Sequence, residues 1–516
     1  MTRPPALTDE LLDRLRARVT ASGQRSYAPV DVFTGGELAT LPESTVDDVD
    51  AAVSTAAAAQ QSWAKLDVAE RLAVFDRFHT LLLDHREQIM DLVQAETGKA
   101  RRDAFEEFCE PALVTAYYLR KASKLLRDKK KAGVLPFAVG ATERRVPKGV
   151  VGIISPWNYP FALALGDLIP ALIAGNAVVL KPDSQTALSP LYGAELLAQA
   201  GLPANLLQVV LGDGPTIGGA VVDASDYVGF TGSTRTGTEI AKRAGARLIG
   251  CSLELGGKNP LIVLDDADVP AAARIAARGC FANAGQLCLA IERIYVHDAI
   301  VDGFAAALVA EAEKLRLAAG YDYAADLGSL TSARAIETVS AHVDDARAKG
   351  ATVLTGGHAR PDLGPYFYTP TVLTDVTPEM LCHRAETFGP VVSLYSFGTD
   401  DDAVEQANDT GYGLNAGVIG RNVARATALA RRLRAGTVNV NDTFASAFAS
   451  TDAPMGGMGA SGLGRRHGAE GLLRYTEAQT VATQRVSIAA PAWLPHAGYT
   501  KVMATSLRLL RRARIR

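Results

Sequence analysis

Cys288 closes the stretch FANAGQLC, Phe281 to Cys288, and its Asn, Ala, Gly and Gln neighbours are unlike a hydrophobic core. A cysteine acts as a covalent nucleophile only as a thiolate, so it needs a base or a positive field nearby. Glu254, in LELGGKNP, is a carboxylate suited to general-base work toward a thiol or a water. Asn158, in SPWNYP, can donate an amide N–H to a developing oxyanion. Taken singly, each has a plainer reading: a packed thiol, a satisfied carboxylate, a turn asparagine beside proline.

Residues suited to a phosphate-bearing cofactor accompany them. GSTRTG, Gly232 to Gly237, closes a strand pattern and opens a helix pattern. Glycine there lets backbone approach a pyrophosphate, and the helix N-terminus supplies N–H donors. GDGPTIG, Gly212 to Gly218, is one residue off a dinucleotide fingerprint and reads as a turn and helix start. Lys181 ends the buried run in VVLKPDS, a costly place for a lysine that neither pairs nor reaches a ligand. Glu386, in ETFGPVV, opens another strand pattern and is suited to a ribose hydroxyl.

Positioning such groups takes more than one core, and 516 residues predict two to four domains. A formal charge of −3 argues against a nucleic-acid binder. The five cysteines, Cys109, Cys251, Cys280, Cys288 and Cys382, form no CxxC pair, which disfavours a disulfide framework or a zinc site and fits a reducing cytosol. Met1 to Ser26 lacks an apolar h-region, so no signal peptide is expected. The most apolar region, Gly149 to Leu180, is interrupted by Pro156, Pro160, Asp167 and Pro170 and reads as strand, loop and core helix rather than a membrane span.

Helical spacing covers Leu7 to Ala21, Val46 to Ala64 behind a Thr45 cap, Ala69 to Thr97 as one helix stopping at Gly98, and Phe105 to Leu126. The basic run Arg127 to Lys131 reads as a solvated helix end. From Gly149, strand patterns at Val150, Ala177, Leu206 and Tyr227 alternate with helical stretches. This predicts a parallel, doubly covered sheet that binds ligands at the carboxyl ends of its strands. A second alternation after Ser252 predicts a second α/β unit.

In this order, PWNYP, KPDS, FTGSTRTG, LELGGKNP, FANAGQLC, ETFGPVV and PMGGMGASGLGRRHG resemble the NAD(P)-dependent aldehyde dehydrogenase superfamily, over Phe33 to Val481. The resemblance implies a Rossmann-like cofactor domain (1–128 and 148–256) and an α/β catalytic domain (257–455). A small β oligomerisation element (129–147 and 472–490) and a basic tail (491–516) complete the chain. It also implies a cytoplasmic homodimer or homotetramer. Cys288 would attack the aldehyde, Asn158 and the Cys288 N–H would hold the oxyanion, and Glu254 would activate the water that opens the thioester. Lys181 and Glu386 would hold the riboses and Ser233 a phosphate. Ser155, Pro156, Trp157, Ser184, Gly232, Leu255 and Phe388 would complete the cofactor site. A non-catalytic relative and a CoA-acylating or ester-hydrolysing one are the rivals.

Three departures sharpen the expectation. NAD-preferring relatives carry a glutamate where Ser184 stands, so NADP is expected and NAD remains an alternative, with Asp183 next door opposing if it points inward. The resemblance is nearest to bacterial succinate-semialdehyde dehydrogenases, which implies succinate semialdehyde and NADP+. Yet the arginines that bind the substrate carboxylate there are replaced by Ala282 and Gly166. Phe161, Leu165, Leu287 and Leu289 suggest an apolar tunnel instead, so an aliphatic or aromatic aldehyde is the alternative substrate. Arg466 stands where relatives carry an acid, so no second carboxylate is expected in a proton relay. The tail from Ala492 carries Trp493, Leu494 and Tyr499, then Lys501, Arg508, Arg511, Arg512, Arg514 and Arg516, without an acid. Such a helix can lie on an anionic membrane, pack on the protein or fray.

Overall fold

The computed structural model describes residue 4 and residues 6–133, 138–487 and 489–514. The chain divides into two units, Met1–Leu125 with Pro147–Glu477, and Leu126–Val146 with Ala478–Arg516.

The first unit holds two mainly parallel sheets. In the six-stranded sheet the order is Gly462–Leu463, Gly250–Glu254, Tyr227–Thr231, Val150–Ile154, Ala177–Lys181, Leu207–Val209. Only the Gly462–Leu463 edge runs antiparallel. The chain starts at the central Val150 strand, moves outward to one edge, then returns to the other side. Its switch point therefore lies between Val150–Ile154 and Tyr227–Thr231, where an open parallel sheet leaves a crevice at its carboxyl ends. These strands are buried on both faces, which explains their unbroken Val, Ile and Leu runs. The seven-stranded sheet has the order Thr352–Thr355, Thr371–Thr374, Val391–Phe397, Ile291–His297, Asn259–Val263, Asn415–Ile419, Thr437–Val440. The two expected α/β units are both present.

Local chemistry sets most helix ends. Thr45 and Asp48 form a reciprocal capping box on Val46–Trp63. Gly98, at φ 76°, ends Arg86–Thr97. Two expectations need correction. Ala69 to Thr97 is not one helix: Val68–Asp84 and Arg86–Thr97 meet at His85, whose non-helical ψ of 17° turns the chain. The basic run is not a helix end: Lys129–Lys131 is a strand paired with Val139–Pro147, and Lys131 pairs with Glu143 across it. Alternate side chains of an edge strand face solvent, which suits a lysine run.

The second unit contains a three-stranded sheet ordered Thr476–Gln484, Val139–Pro147, Lys129–Lys131, and the helix His496–Arg512. Residues 134–137 of the expected hairpin and Arg516 of the tail lie outside the described residues.

Candidate active site

The segment before Cys288 is bent by three successive left-handed residues, Asn283 (φ 51°), Ala284 (φ 54°) and Gly285 (φ 72°). The conformation costs a non-glycine residue about 1–2 kcal/mol, so surrounding contacts must hold it. A Cβ on Gly285 would lie 2.0 Å from the Gly389 carbonyl, which excludes any larger residue. The Asn283 side-chain amide donates to the Gln286 carbonyl (3.0 Å), and Gln286 accepts from the Thr331 N–H (2.9 Å). Asn259 donates from its side chain to the carbonyls of Cys288 (2.7 Å) and Ala290 (2.8 Å). The thiol is thus presented from a pinned turn.

Asn158 is buried beside it. Its Nδ2 donates to the Gln286 carbonyl (3.0 Å), and its own carbonyl accepts from Lys99 Nζ (2.8 Å). Lys99 forms a fully buried ion pair with Glu107. Glu107 also accepts from the N–H groups of Phe161 (2.8 Å) and Ala162 (3.2 Å), capping Pro160–Ile173. Glu254 ends its strand, buried, with Oε1 unpartnered among the described residues. Burial raises its carboxyl to about 7 against the opposing pull of Arg466 and Arg474. Burial, then Glu254 and Glu386, push the Cys288 thiol up to about 12.

Behind Glu254 lies a buried ion network that sequence reasoning missed. Arg466 pairs with Asp167 (2.7 Å), and Arg474 pairs with the same carboxylate (2.5 Å). Asp167 is held below the usual carboxylate value despite its burial, because two guanidiniums bracket it. The available signal was a single acid in the otherwise apolar helix PFALALGDLIPALI. Lys99 with Glu107, Lys258 with Glu292, and Asn259 were missed for the same reason: lone polar residues find their partners only after folding.

Pro156, Trp157, Asn158, Gly232, Ser233, Glu254, Leu255, Cys288, Glu386 and Phe388 border one cavity of about 210 Å³. Trp157 and Phe388 meet edge to face at its rim. Glu386 accepts from the Gly257 N–H (2.9 Å), and the neighbouring Thr387 and Phe388 N–H groups donate to Glu292 (2.9 Å each). Glu386 precedes its strand in a loop rather than opening it. Ser233 caps Thr234–Ala246, whose N-terminus faces the sheet's carboxyl edge. Lys181 and Ser155, buried at strand ends, and Ser184 do not border this cavity. No described residue accepts a hydrogen bond from Lys181 Nζ, a buried cation with donors to spare for a hydroxyl-rich ligand. The Ser184 hydroxyl donates to the Gly212 carbonyl (2.9 Å). Asp183 accepts from the Gln185 N–H (2.9 Å), so its carboxylate is engaged by local backbone. Helix N-terminus, glycine edge and a buried lysine that feels Asp183 and Asp213 only at a distance fit a dinucleotide along this crevice.

A second cavity, of about 230 Å³, also reaches Cys288 and is walled by Tyr159, Ala162, Leu163, Leu287, Leu289, Phe444, Phe448 and Met455. None of its bordering residues is a lysine or arginine; the charged ones are Glu106 and Glu110. Arg278, close by, is already engaged by Asp103 and Glu106. Three expected lining residues, Phe161, Leu165 and Ala282, are corrected. Phe161 and Leu165, one helical turn apart, share the face of Pro160–Ile173 turned into the core, where Leu165 packs on Gly193. The tunnel face carries Tyr159, Ala162 and Leu163 instead. Ala282 packs in the same apolar cluster as Leu163, Leu287 and Leu289 but does not border the cavity. A side chain at Gly166 would start 3.7 Å from Glu110 Oε1.

Two mainly parallel sheets, a crevice suited to a dinucleotide and a thiol bordering it are features of the α/β oxidoreductase class. The chain belongs to the aldehyde dehydrogenase family, which it matches over residues 19–481. It oxidises aldehydes with a nicotinamide dinucleotide, NAD(P)+. A Mycolicibacterium smegmatis protein with the provisional name succinate-semialdehyde dehydrogenase [NADP(+)] is 53% identical over 513 residues, 99% of each chain. A Methylomonas protein named 4,4'-diapolycopene aldehyde oxidase is 37% identical, covering 91% of this chain and 88% of its own. The crystal structure of Staphylococcus aureus betaine aldehyde dehydrogenase in complex with NAD+ superposes with a TM-score of 0.88 at 30% identity, covering 94% of this chain and 99% of that one.

Proposed function

We propose that this chain is an NADP+-preferring dehydrogenase for aldehydes with apolar tails, aliphatic or aromatic. The carrying observation is the place of Cys288, which borders both the polar cavity and the apolar tunnel. An aldehyde in the tunnel meets the thiol at its carbonyl carbon, while its tail stays among Leu163, Leu287, Leu289 and Phe448.

NAD(P)+, when bound, supplies the hydride acceptor. Cys288 Sγ bonds to the carbonyl carbon as its proton passes to solvent water, since the resting thiol is protonated. Asn158 has a second side-chain N–H beyond the one given to Gln286, and with the Cys288 N–H it stabilises the oxyanion. At the thioester stage Glu254 takes a proton from water, the acid leaves and the thiol re-forms. Lys181 and Glu386 hold the riboses and Ser233 a phosphate. Ser155, Pro156, Trp157, Gly232, Leu255 and Phe388 shape the rest of the cofactor site. A serine at 184 presents no charge to repel a 2′-phosphate, which favours NADP+. Cofactor binding falls to residues 1–128 and 148–256, and catalysis to 257–455. The strand Thr476–Gln484, exposed from Glu477 onward, suits pairing with a second copy in a homodimer or homotetramer. A cytoplasmic setting fits the five free cysteines.

Succinate semialdehyde is the second reading, favoured by the provisional names of the 53% identical relatives. Its carboxylate would enter a tunnel bordered by Glu106 and Glu110 with no cation to meet it. Leaving a charge unpaired there costs several kcal/mol, so hexanal is expected to exceed succinate semialdehyde by roughly a hundredfold or more in kcat/KM. Steady-state kinetics with hexanal, benzaldehyde and succinate semialdehyde, each with both cofactors, tests this. A preference for succinate semialdehyde by orders of magnitude overturns the apolar reading, and a higher kcat/KM with NAD+ overturns the cofactor preference.

Arg466 also has an expected pH signature. A general base works deprotonated, so the rate rises with pH through its pKa, here about 7. Of the three arginines whose charge opposes burial at Glu254, Arg466, Arg474 and Arg465, Arg466 has the largest effect. Arg466→Met is therefore expected to move the acid limb of kcat upward, on the order of one pH unit, and Arg466→Lys to restore it. An unmoved limb in a folded Arg466→Met protein removes Arg466 from this role.

A further inference from the structure

The helix His496–Arg512 has no buried residue. Its heptad-like positions Tyr499, Val502, Met503, Leu507, Leu509 and Leu510 lie on one broad arc, and Lys501, Arg508, Arg511 and Arg512 lie on the other. Val502, Leu507 and Leu509 are 56%, 53% and 59% exposed, and Trp493, just ahead of the helix, is 79% exposed. Residues 491–514 include no aspartate or glutamate. No described residue forms an ion pair with Lys501, Arg508, Arg511 or Arg512. None of the described helices is long and apolar enough to cross a membrane.

We propose that Trp493 and the helix His496–Arg512 lie on the surface of a bilayer containing anionic phospholipid, apolar arc inward. Burying the exposed leucines and valine drives insertion, the arginines reach lipid phosphates along their flexible stems, and tryptophan sits at the headgroup level. Two other occupants fit less well. A symmetric contact between two tails through their apolar arcs buries the leucines but leaves Lys501, Arg508, Arg511 and Arg512 without an anionic partner. A nucleic acid satisfies the cations and leaves Leu507, Leu509 and Trp493 in water. The surface goes beyond the substrate reading and does not depend on it, although a bilayer is where apolar aldehydes concentrate.

The test uses the full chain, sedimented with phosphatidylcholine vesicles with or without phosphatidylglycerol, at low and high salt. The protein is expected to pellet with the phosphatidylglycerol vesicles alone and to be released by salt. The Arg508→Glu, Arg511→Glu, Arg512→Glu variant is expected to bind roughly a hundredfold more weakly. Leu507→Glu with Leu509→Glu is expected to lose binding too. Both variants should oxidise a water-soluble aldehyde at the parent rate, which shows that they fold. Absence of pelleting with anionic vesicles, or undiminished pelleting of both variants, overturns the proposal. So does a change in oligomer size by light scattering without vesicle binding, which assigns the face to a second copy. Because pelleting is read without any aldehyde, its failure leaves the substrate reading standing.

Discussion

Cys288→Ala is expected to lower aldehyde oxidation by about four orders of magnitude or more, the scale seen when a covalent nucleophile is removed. The thiol is half-buried, and its neighbours Leu287, Leu289 and Ala290 pack in an apolar cluster, so losing one sulfur atom leaves the fold intact. Dinucleotide binding, followed by quenching of Trp157 fluorescence, should persist, since the crevice is built by other strands. Steady-state rates and cofactor titration on the same preparation are the check. A variant that kept full turnover would remove the covalent mechanism altogether. The raised thiol pKa adds a second expectation: without cofactor, alkylation by iodoacetamide near neutral pH should be slow.

The second large effect is at Glu254. Glu254→Gln keeps the shape and the hydrogen-bonding reach but removes the base. The first turnover should survive as a burst of reduced cofactor, while steady-state kcat falls by about a hundredfold to ten-thousandfold. The acyl group should then be found on Cys288 by mass spectrometry of the quenched protein. The acid limb near pH 7 should disappear with the carboxylate, and any limb that remains should lie near pH 8, where burial raises the other acid bordering the cavity, Glu386. A parallel fall of burst and steady state would move Glu254 from thioester hydrolysis to the earlier attack step.

Much of the fold was legible because its signals are local. The runs VVGII, AVVLK and YVGFT are apolar on both faces only because both faces are covered. Thr45, Gly98 and Ser233 mark helix ends through bonds to residues within one turn. The misread segments depended on distant partners. His85 turns the chain between two helices of matching apolar spacing, which periodicity does not register. Lys129–Lys131 becomes a strand because Val139–Pro147 is there to pair with it.

The site divides in the same way. FANAGQLC, LELGGKNP, SPWNYP and GSTRTG were recognisable in the chain because thiol, carboxylate, amide and glycine chemistry resides in the residue types themselves. That they meet follows from strand order, since Glu254, Thr231 and Ile154 end adjacent parallel strands at one edge. Which side of Pro160–Ile173 borders the tunnel was beyond the sequence. Phe161 and Leu165 are as apolar as Ala162 and Leu163, and only packing in the core, Leu165 against Gly193, turns them away. The same holds for Asp167, Arg466 and Arg474, three charges scattered over some three hundred residues that tertiary structure gathers behind one base. Residue chemistry is carried along the chain, whereas the rotation of a helix and the pairing of buried charges are fixed by neighbours that the chain brings together only when it folds.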